Sequence, residues 1–432
     1  MGVTTSSVFG LPAAQPSIEF LANLLTGYPR RDFQVRLWDG RTWGSSRQPR
    51  FTLVLKHPGA LRRMFHSPSE LTLGESYICD DFDIEGDIEA IFDLGDYLLA
   101  QGGYGSTRAV HLAGMLRRLS AERQTRTGRQ PAALRGTLHS SDRDRQAISY
   151  HYDLPAEFFA LWLDPQMLYS CAYFADGKDT DLDTAQRYKL DYICRKLRLR
   201  RGDRLLDIGC GWGGLAVHAA THYGAQVLGI TMSVPQSEVA RRRIRDSGLN
   251  DRCRIEVCDY RDLELDQHFD KIVSVGMFEH VGKEHLPEYF SRTCGLLRPG
   301  GAFVNAGIAA AATYHRQGPS FIDRYVFPDG ELVPLNTSLG AAERSGFEVR
   351  DVESLREHYA LTLHHWVRRL EAHAEEARRI TDDTTFRIWR LYMAASAHAF
   401  RLNRLNLYQI LLAKPLHGES DMPLTRADWY RD

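Results

Sequence analysis

The sequence predicts an α/β chain: a parallel, doubly wound sheet of about seven strands, preceded by a smaller α+β module. Three observations lead there. Leu205-Leu206-Asp207-Ile208 runs directly into Gly209-Cys210-Gly211-Trp212-Gly213-Gly214 and then a helix-forming stretch, the pattern of a buried strand, a tight turn and a helix opening beneath a ligand. Downstream, short apolar runs alternate with helical periodicity. Upstream, from Phe33, the pattern is one of short strands with Asp39-Gly40 as a hairpin turn.

Taken in order, residues 1–30 read as an arm, helical at Ile18–Leu25. Strands follow at Phe33–Trp38, Arg41–Trp43 and Phe51–Leu55, a helix at Pro58–Phe65, extended chain from Thr72 to Ile84, and an amphipathic helix from Glu89 to Leu99. Residues 1–100 thus form the front domain. Residues 101–147 form a basic linker, with nine arginines against three acids between Arg108 and Arg145. It is either a solvated connection or a segment resting on anionic lipid head groups through Leu112, Met115, Leu116 and Leu119.

Residues 148–432 form the catalytic domain. Dense aromatics from Pro155 to Phe174 are core or the wall of an apolar substrate channel. A long helix covers Asp183–Leu197, and strands are expected at Gln226–Ile230, Cys253–Cys258, Phe269–Val275, Ala302–Ala306, Phe347–Val352 and Leu407–Lys414. Gly307-Ile308 opens an irregular segment reaching Gly330, and residues 361–403 read as helices.

Composition narrows the function. A net charge of −1 gives no global attraction to nucleic acid. No apolar run reaches the roughly 18 residues that span a bilayer. Seven scattered cysteines without a C-x-x-C pair argue against a disulfide frame or a zinc site, so a reducing cytoplasm and no metal are expected.

Gly209-x-Gly211-x-x-Gly214 also matches the dinucleotide fingerprint. That reading wants an acid at the end of the next strand for the ribose, and here Thr231-Met232-Ser233 stands instead. Asp207, two residues before the first glycine, either meets an ammonium group or fixes the loop. S-adenosylmethionine carries a carboxylate and an ammonium but no phosphate, and it suits the loop better. After the third strand, Asp259 is placed for an adenine amino group and Tyr260 to cover the ring, or else they are a helix cap and a surface tyrosine. Glu279 follows the fourth strand, at the sheet edge where chemistry collects, and is the strongest catalytic acid in the chain.

These residues resemble the cyclopropane-fatty-acyl-phospholipid synthase family of S-adenosylmethionine-dependent lipid-modifying enzymes. His151-Tyr152-Asp153, Tyr169-Ser170-Cys171-Ala172-Tyr173, Leu206–Gly214, Asp259–Asp262, Ser274–Gly282 and Tyr325–Gly330 carry the likeness over residues 148–414. Gly74–Tyr77 and Asp80–Asp87 extend it, less sharply, to the lipid-handling front domain of longer members. The resemblance implies a class I methyltransferase, Rossmann-like sheet. It implies that Gly209, Gly211, Thr231, Gln236, Tyr260 and Arg261 line the cofactor with Tyr169 and Ser170.

It also implies transfer of the donor methyl to the double bond of an unsaturated phospholipid acyl chain, then deprotonation to a cyclopropane ring. In the family the base is a bound bicarbonate. Cys171, Glu279, the amide near Ile308 and Tyr359 match its ligands, but Ala306 stands where the family has a histidine. That departure opens the alternative of a methylated or methylenated product. A small-molecule methyltransferase is the alternative of another class. The expected setting is a homodimer at the inner face of the cell membrane, on an apolar passage ending beside Cys171 and Glu279.

Overall fold

The computed structural model describes residues 14–30, 32–44, 48–100, 106–122, 128–265, 268–312 and 320–430. The chain forms two units, Met1–Gln130 with Pro319–Phe321 and Asp382–Ala395, and Pro131–Gly318 with Ile322–Thr381 and Ser396–Asp432. The basic stretch 101–147 is therefore divided. Its helix Ser106–Arg118 falls in the first unit and the start of helix Ser141–Tyr152 in the second.

The first unit holds a four-stranded sheet of β1 (Phe33–Arg36), β2 (Thr42–Trp43), β3 (Phe51–Leu55) and β4 (Phe82–Gly86), ordered β2-β1-β3-β4. The extended chain expected from Thr72 is instead the helix Glu70–Ile78. Ser69 caps it, its Oγ accepting from the Thr72 amide at 3.1 Å. Gly74, which weakens a helix by roughly 1 kcal/mol relative to Ala, is needed for packing. A Cβ there would stand 2.5 Å from the Phe321 ring.

The acids of Asp80–Asp87 are drawn into a buried arginine node. Arg387 donates to Asp80 at 2.6 Å, Asp83 at 3.0 Å and the Tyr77 carbonyl at 3.2 Å. Arg390 donates to the Tyr77 hydroxyl at 2.9 Å. The helix Ser106–Arg118 buries Leu112 against helices Gln15–Leu24 and Ala60–Phe65. Arg108 fastens it to the carbonyls of Asn23, Leu24 and Thr26. Leu112 and Leu119 are buried within the unit, while Met115 and Leu116 are half-buried and Val110 is exposed.

The second unit carries a seven-stranded sheet of β5 (Arg204–Ile208), β6 (Gln226–Thr231), β7 (Cys253–Val257), β8 (Phe269–Val275), β9 (Leu297–Ala310), β10 (Glu348–Ser354) and β11 (Leu405–Ala413). The order is β10-β11-β9-β8-β5-β6-β7, with β11 antiparallel to both neighbours and β5 to β9 parallel among themselves. Both faces are covered, so alternate residues serve opposite cores. Leu205, Val273 and Val304 join one core; Leu206, Ile272 and Phe303 join the other.

Gly307-Ile308 is not irregular. Strand β9 continues to Ala310 because β11 pairs with it residue by residue, from Leu405 opposite Ala310 to Ala413 opposite Ala302. That partner lies some hundred residues downstream and has no local signature at Gly307.

Candidate active site

The carboxyl ends of the parallel strands enclose a cavity of about 150 Å³. All ten residues expected to bind a cofactor line it: Tyr169 and Ser170, Asp207, Gly209 and Gly211, Thr231 and Gln236, and Asp259, Tyr260 and Arg261. Seven of them come from the ends of β5, β6 and β7 or the turns that follow. That placement is what parallel strands of a doubly wound sheet provide.

The glycine turn needs its glycines. Gly209 and Gly211 have φ of +79° and +54°, and beside Gly211 a Cβ position opens onto space with no atom within 4 Å. The helix Gly214–Tyr223 then begins at Gly213 without a side-chain cap, leaving its first amides to face a ligand. Asp207 is 2% exposed, and its Oδ2 is sealed without a hydrogen-bond partner. Burial pushes its carboxyl up to about 7 against the pull of Lys189. A missing side chain at the turn and an unpartnered buried acid beside it fit a cofactor with a cationic amino group.

Thr231 and Gln236 are joined, the threonine hydroxyl donating to Gln236 Oε1 at 2.9 Å. Asp259 caps the 3-10 turn Tyr260–Asp262 and receives the Arg261 guanidinium on both oxygens, at 3.0 and 2.6 Å. Asp259 is thus a cap, and it also lines the cavity. Tyr260 is buried rather than on the surface, edge-on to Tyr289 at 5.3 Å. Arg261 reaches on to Asp144 at 2.8 Å and the His139 carbonyl at 3.1 Å, fixing helix Ser141–Tyr152 against the strand end.

Cys171, Glu279, Ile308 and Tyr359 are not among the cavity's lining residues, although Met277 and His280 are. They are nonetheless gathered at one corner of the sheet. Glu279 Oε1 accepts the Ile308 amide at 2.7 Å. Ile308 stands opposite Leu407, whose carbonyl accepts the Leu355 amide at 2.8 Å. The Leu355 carbonyl in turn accepts the Tyr359 amide at 3.0 Å and the Cys171 thiol at 3.8 Å. A passage of acyl-chain length ending beside Cys171 and Glu279 is not part of this cavity.

The second Glu279 oxygen, Oε2, is buried without a partner. Burial pushes the carboxyl up to about 7, the Ile308 amide pulling the other way. Burial also pushes the Cys171 thiol up, keeping it protonated, and it donates to the Ala172 carbonyl at 3.2 Å. His280 is pushed down to about 4 by burial and the nearby His139, so it is neutral.

The donors do not fit a bicarbonate held by all of them. The Ile308 amide is spent on Glu279, the Cys171 thiol on carbonyls, and Ala306 supplies only a buried methyl. Among the described residues there is no cluster suited to a metal.

A belt of aromatic rings stands beside this corner. Tyr169 packs against Phe159, Trp162 and Trp366 at 6.1, 5.4 and 5.3 Å, and Trp366 meets Tyr359 at 6.1 Å. His151 lies flat on Phe327 at 3.9 Å.

Sequence reasoning missed Lys189, Trp212, Asp144 and Tyr152 in the cavity wall. Lys189 had a signal. It occupies the helical position of Leu182, Ala185, Gln186 and Ile193, a lysine in an otherwise buried face. Trp212 belongs to the glycine turn itself, while Asp144 and Tyr152 are brought in by tertiary contacts.

The model of the mycolic acid cyclopropane synthetase family matches residues 139–410. The chain belongs to that family, one of S-adenosylmethionine-dependent methyltransferases. A family described only as a domain of unknown function matches residues 20–95. The chain is 43% identical to a "Probable fatty acid methyltransferase" of Pseudomonas putida, over 92% of this chain and 96% of that protein. It is 39% identical to the cyclopropane-fatty-acyl-phospholipid synthase of Escherichia coli (strain K12), over 61% of this chain and 66% of that one. Among solved structures it is similar to the mycolic acid cyclopropane synthase CmaA1 complexed with SAH and CTAB. There the identity is 31% and the TM-score 0.59, covering 62% of this chain and 97% of that one. Among the described residues no helix is long and apolar enough to cross a membrane.

Proposed function

We propose that the protein transfers the methyl carbon of S-adenosylmethionine to a double bond of an unsaturated phospholipid acyl chain, and that proton loss from the added carbon closes a cyclopropane ring. The observation that carries this reading is the Glu279 carboxyl. One oxygen is anchored on the Ile308 amide, the other is buried and free to take a proton, and its pKa lies near neutrality. A base poised near the working pH is what such a step requires.

The bound donor supplies an electrophilic methyl on a sulfonium. The chain holds it through the glycine turn, Asp207, Thr231 and Gln236, with Asp259, Tyr260 and Arg261 as the adenine wall. The alkene π pair would form the new bond to the methyl carbon as the methyl–sulfur bond breaks and its electron pair returns to sulfur, leaving S-adenosylhomocysteine and a cation on the acyl chain. Phe159, Trp162, Tyr169 and Trp366 keep water out and offer π faces to that cation. Glu279 Oε2 then takes a proton from the added methyl, and the released C–H pair closes the third carbon–carbon bond.

A second reading, a methylated or methylenated chain, is favoured by Ala306 in the histidine position and by the 43% identical relative named as a fatty acid methyltransferase. In it a hydride shift followed by proton loss leaves a methylene group, and a methyl branch follows only from a separate two-electron reduction by a hydride donor. Methyl-labelled S-adenosylmethionine and vesicles of unsaturated phospholipid test both. Label in the acyl chains is expected, and mass and NMR analysis of the released acids separates ring from branch. Label confined to soluble acceptors overturns the lipid reading.

A further inference from the structure

Residues 171–174 belong to no helix or strand, yet three consecutive amides there are bound, each by a different group. Ala172 donates to Thr362 Oγ1, Tyr173 to the Ala185 carbonyl and Phe174 to His358 Nδ1, each at 3.0 Å. On the other side of Cys171, the buried Gln186 donates its Nε2 to the carbonyls of Leu168 and Ser170, at 3.2 and 3.0 Å. Backbone groups taken out of water need such partners. Here the helices Leu182–Leu197 and Arg356–Ala372 supply them in place of a strand neighbour.

His358 is the most exacting of these partners. An amide N–H only donates, so Nδ1 must present its lone pair and the ring must carry its proton on Nε2 alone. Burial favours that neutral form by pushing the imidazole pKa down, with Glu353 and Glu357 pulling the other way. The ring plane is set by stacking on Tyr173, with centroids 5.0 Å apart and planes 14° apart. Thr362 is aimed from the same helix. Its hydroxyl donates to the His358 carbonyl at 2.7 Å, which turns a lone pair toward the Ala172 amide.

The held segment joins the two halves of the chemistry. Tyr169 and Ser170, just before it, line the donor cavity. Tyr359, the residue after His358, belongs to the corner around Glu279. We propose that His358 is a positioning residue of the reaction: its Nδ1 lone pair, with Thr362 Oγ1, clamps Ala172–Phe174 to the helix that carries Tyr359, and so sets Tyr169 and Ser170 at the cavity wall. The proposal rests on the methyl-donor reading above.

Calorimetric titration of the full chain with S-adenosylhomocysteine tests it through two substitutions that separate ring from lone pair. His358→Phe keeps a ring to stack on Tyr173 and removes the acceptor; it is expected to bind about tenfold more weakly, the scale of one buried amide left without its acceptor. His358→Asn gives up the stack and returns an acceptor oxygen close to the Nδ1 position, and its affinity should stay within about threefold of the wild type. Thr362→Val, of the same shape without the oxygen, should weaken binding in the same direction, and Thr362→Ser should restore it. Wild-type affinity in both His358→Phe and Thr362→Val overturns the clamp, and so does an Asn variant as weak as the Phe variant. Wild-type protein without saturable binding overturns the methyl-donor reading, and the clamp with it.

Discussion

The cavity side of the second unit leaves polar groups turned toward open space, whereas the corner around Glu279 closes most of its hydrogen bonds on itself. On the first side Asp207 and Lys189 are buried with bonding capacity left over, and at Gly211 the turn has space where a side chain would be. On the second, the Ile308 amide, the Cys171 thiol and the Leu355 carbonyl are all engaged, and Glu279 Oε2 is the unused atom. The difference teaches that the donor site is built to be completed by a ligand. The other corner is built around the Glu279 carboxyl.

The sharpest break comes from Glu279→Gln. Turnover should fall by about 10³-fold or more, with S-adenosylhomocysteine affinity within about threefold because the cavity wall is untouched. Single-turnover kinetics and calorimetry measure the two halves, and a large affinity loss would erase the contrast between the sides.

Next is pH. Glu279 must be ionised to accept a proton and its pKa lies at about 7. Turnover should therefore fall about tenfold per pH unit well below 7, and it should be flat through that range if another group is the base.

Ala306→His adds an imidazole to the buried face of β9. A higher fraction of ring product, or a new response to bicarbonate, is expected in the acyl-chain analysis; an unchanged product would show that this position does not steer proton loss. The smallest effect belongs to Cys171→Ala. With its thiol protonated and bonded to backbone carbonyls, its loss should cost less than about tenfold in turnover, the scale of one neutral hydrogen bond. A loss matching that of Glu279→Gln would make Cys171 a direct participant.

Local sequence was enough wherever the signal is local. The glycine turn, the acid before it and the strand-end residues after it could be read because a parallel strand delivers its next residues to one edge of the sheet. The ten residues lining the cavity follow from that rule and from the family likeness together. Reading failed at Thr72–Ile78, which is helix, with its Gly74 packed under the Phe321 ring. It failed again at Gly307–Ala310, which is strand only because β11 lies alongside. The acids from Asp80 to Asp83 also change meaning once Arg387 arrives from three hundred residues away.

The sequence by itself determined the α/β architecture and the glycine turn at the end of β5, since periodicity and turn chemistry act over a few residues. Tertiary structure alone decided that Lys189 lines Asp207's cavity and that the Ile308 amide is consumed by Glu279. It also decided that the helix Ser106–Arg118 buries Leu112. Each of these depends on which groups distant in the chain are brought together, and no local pattern records that.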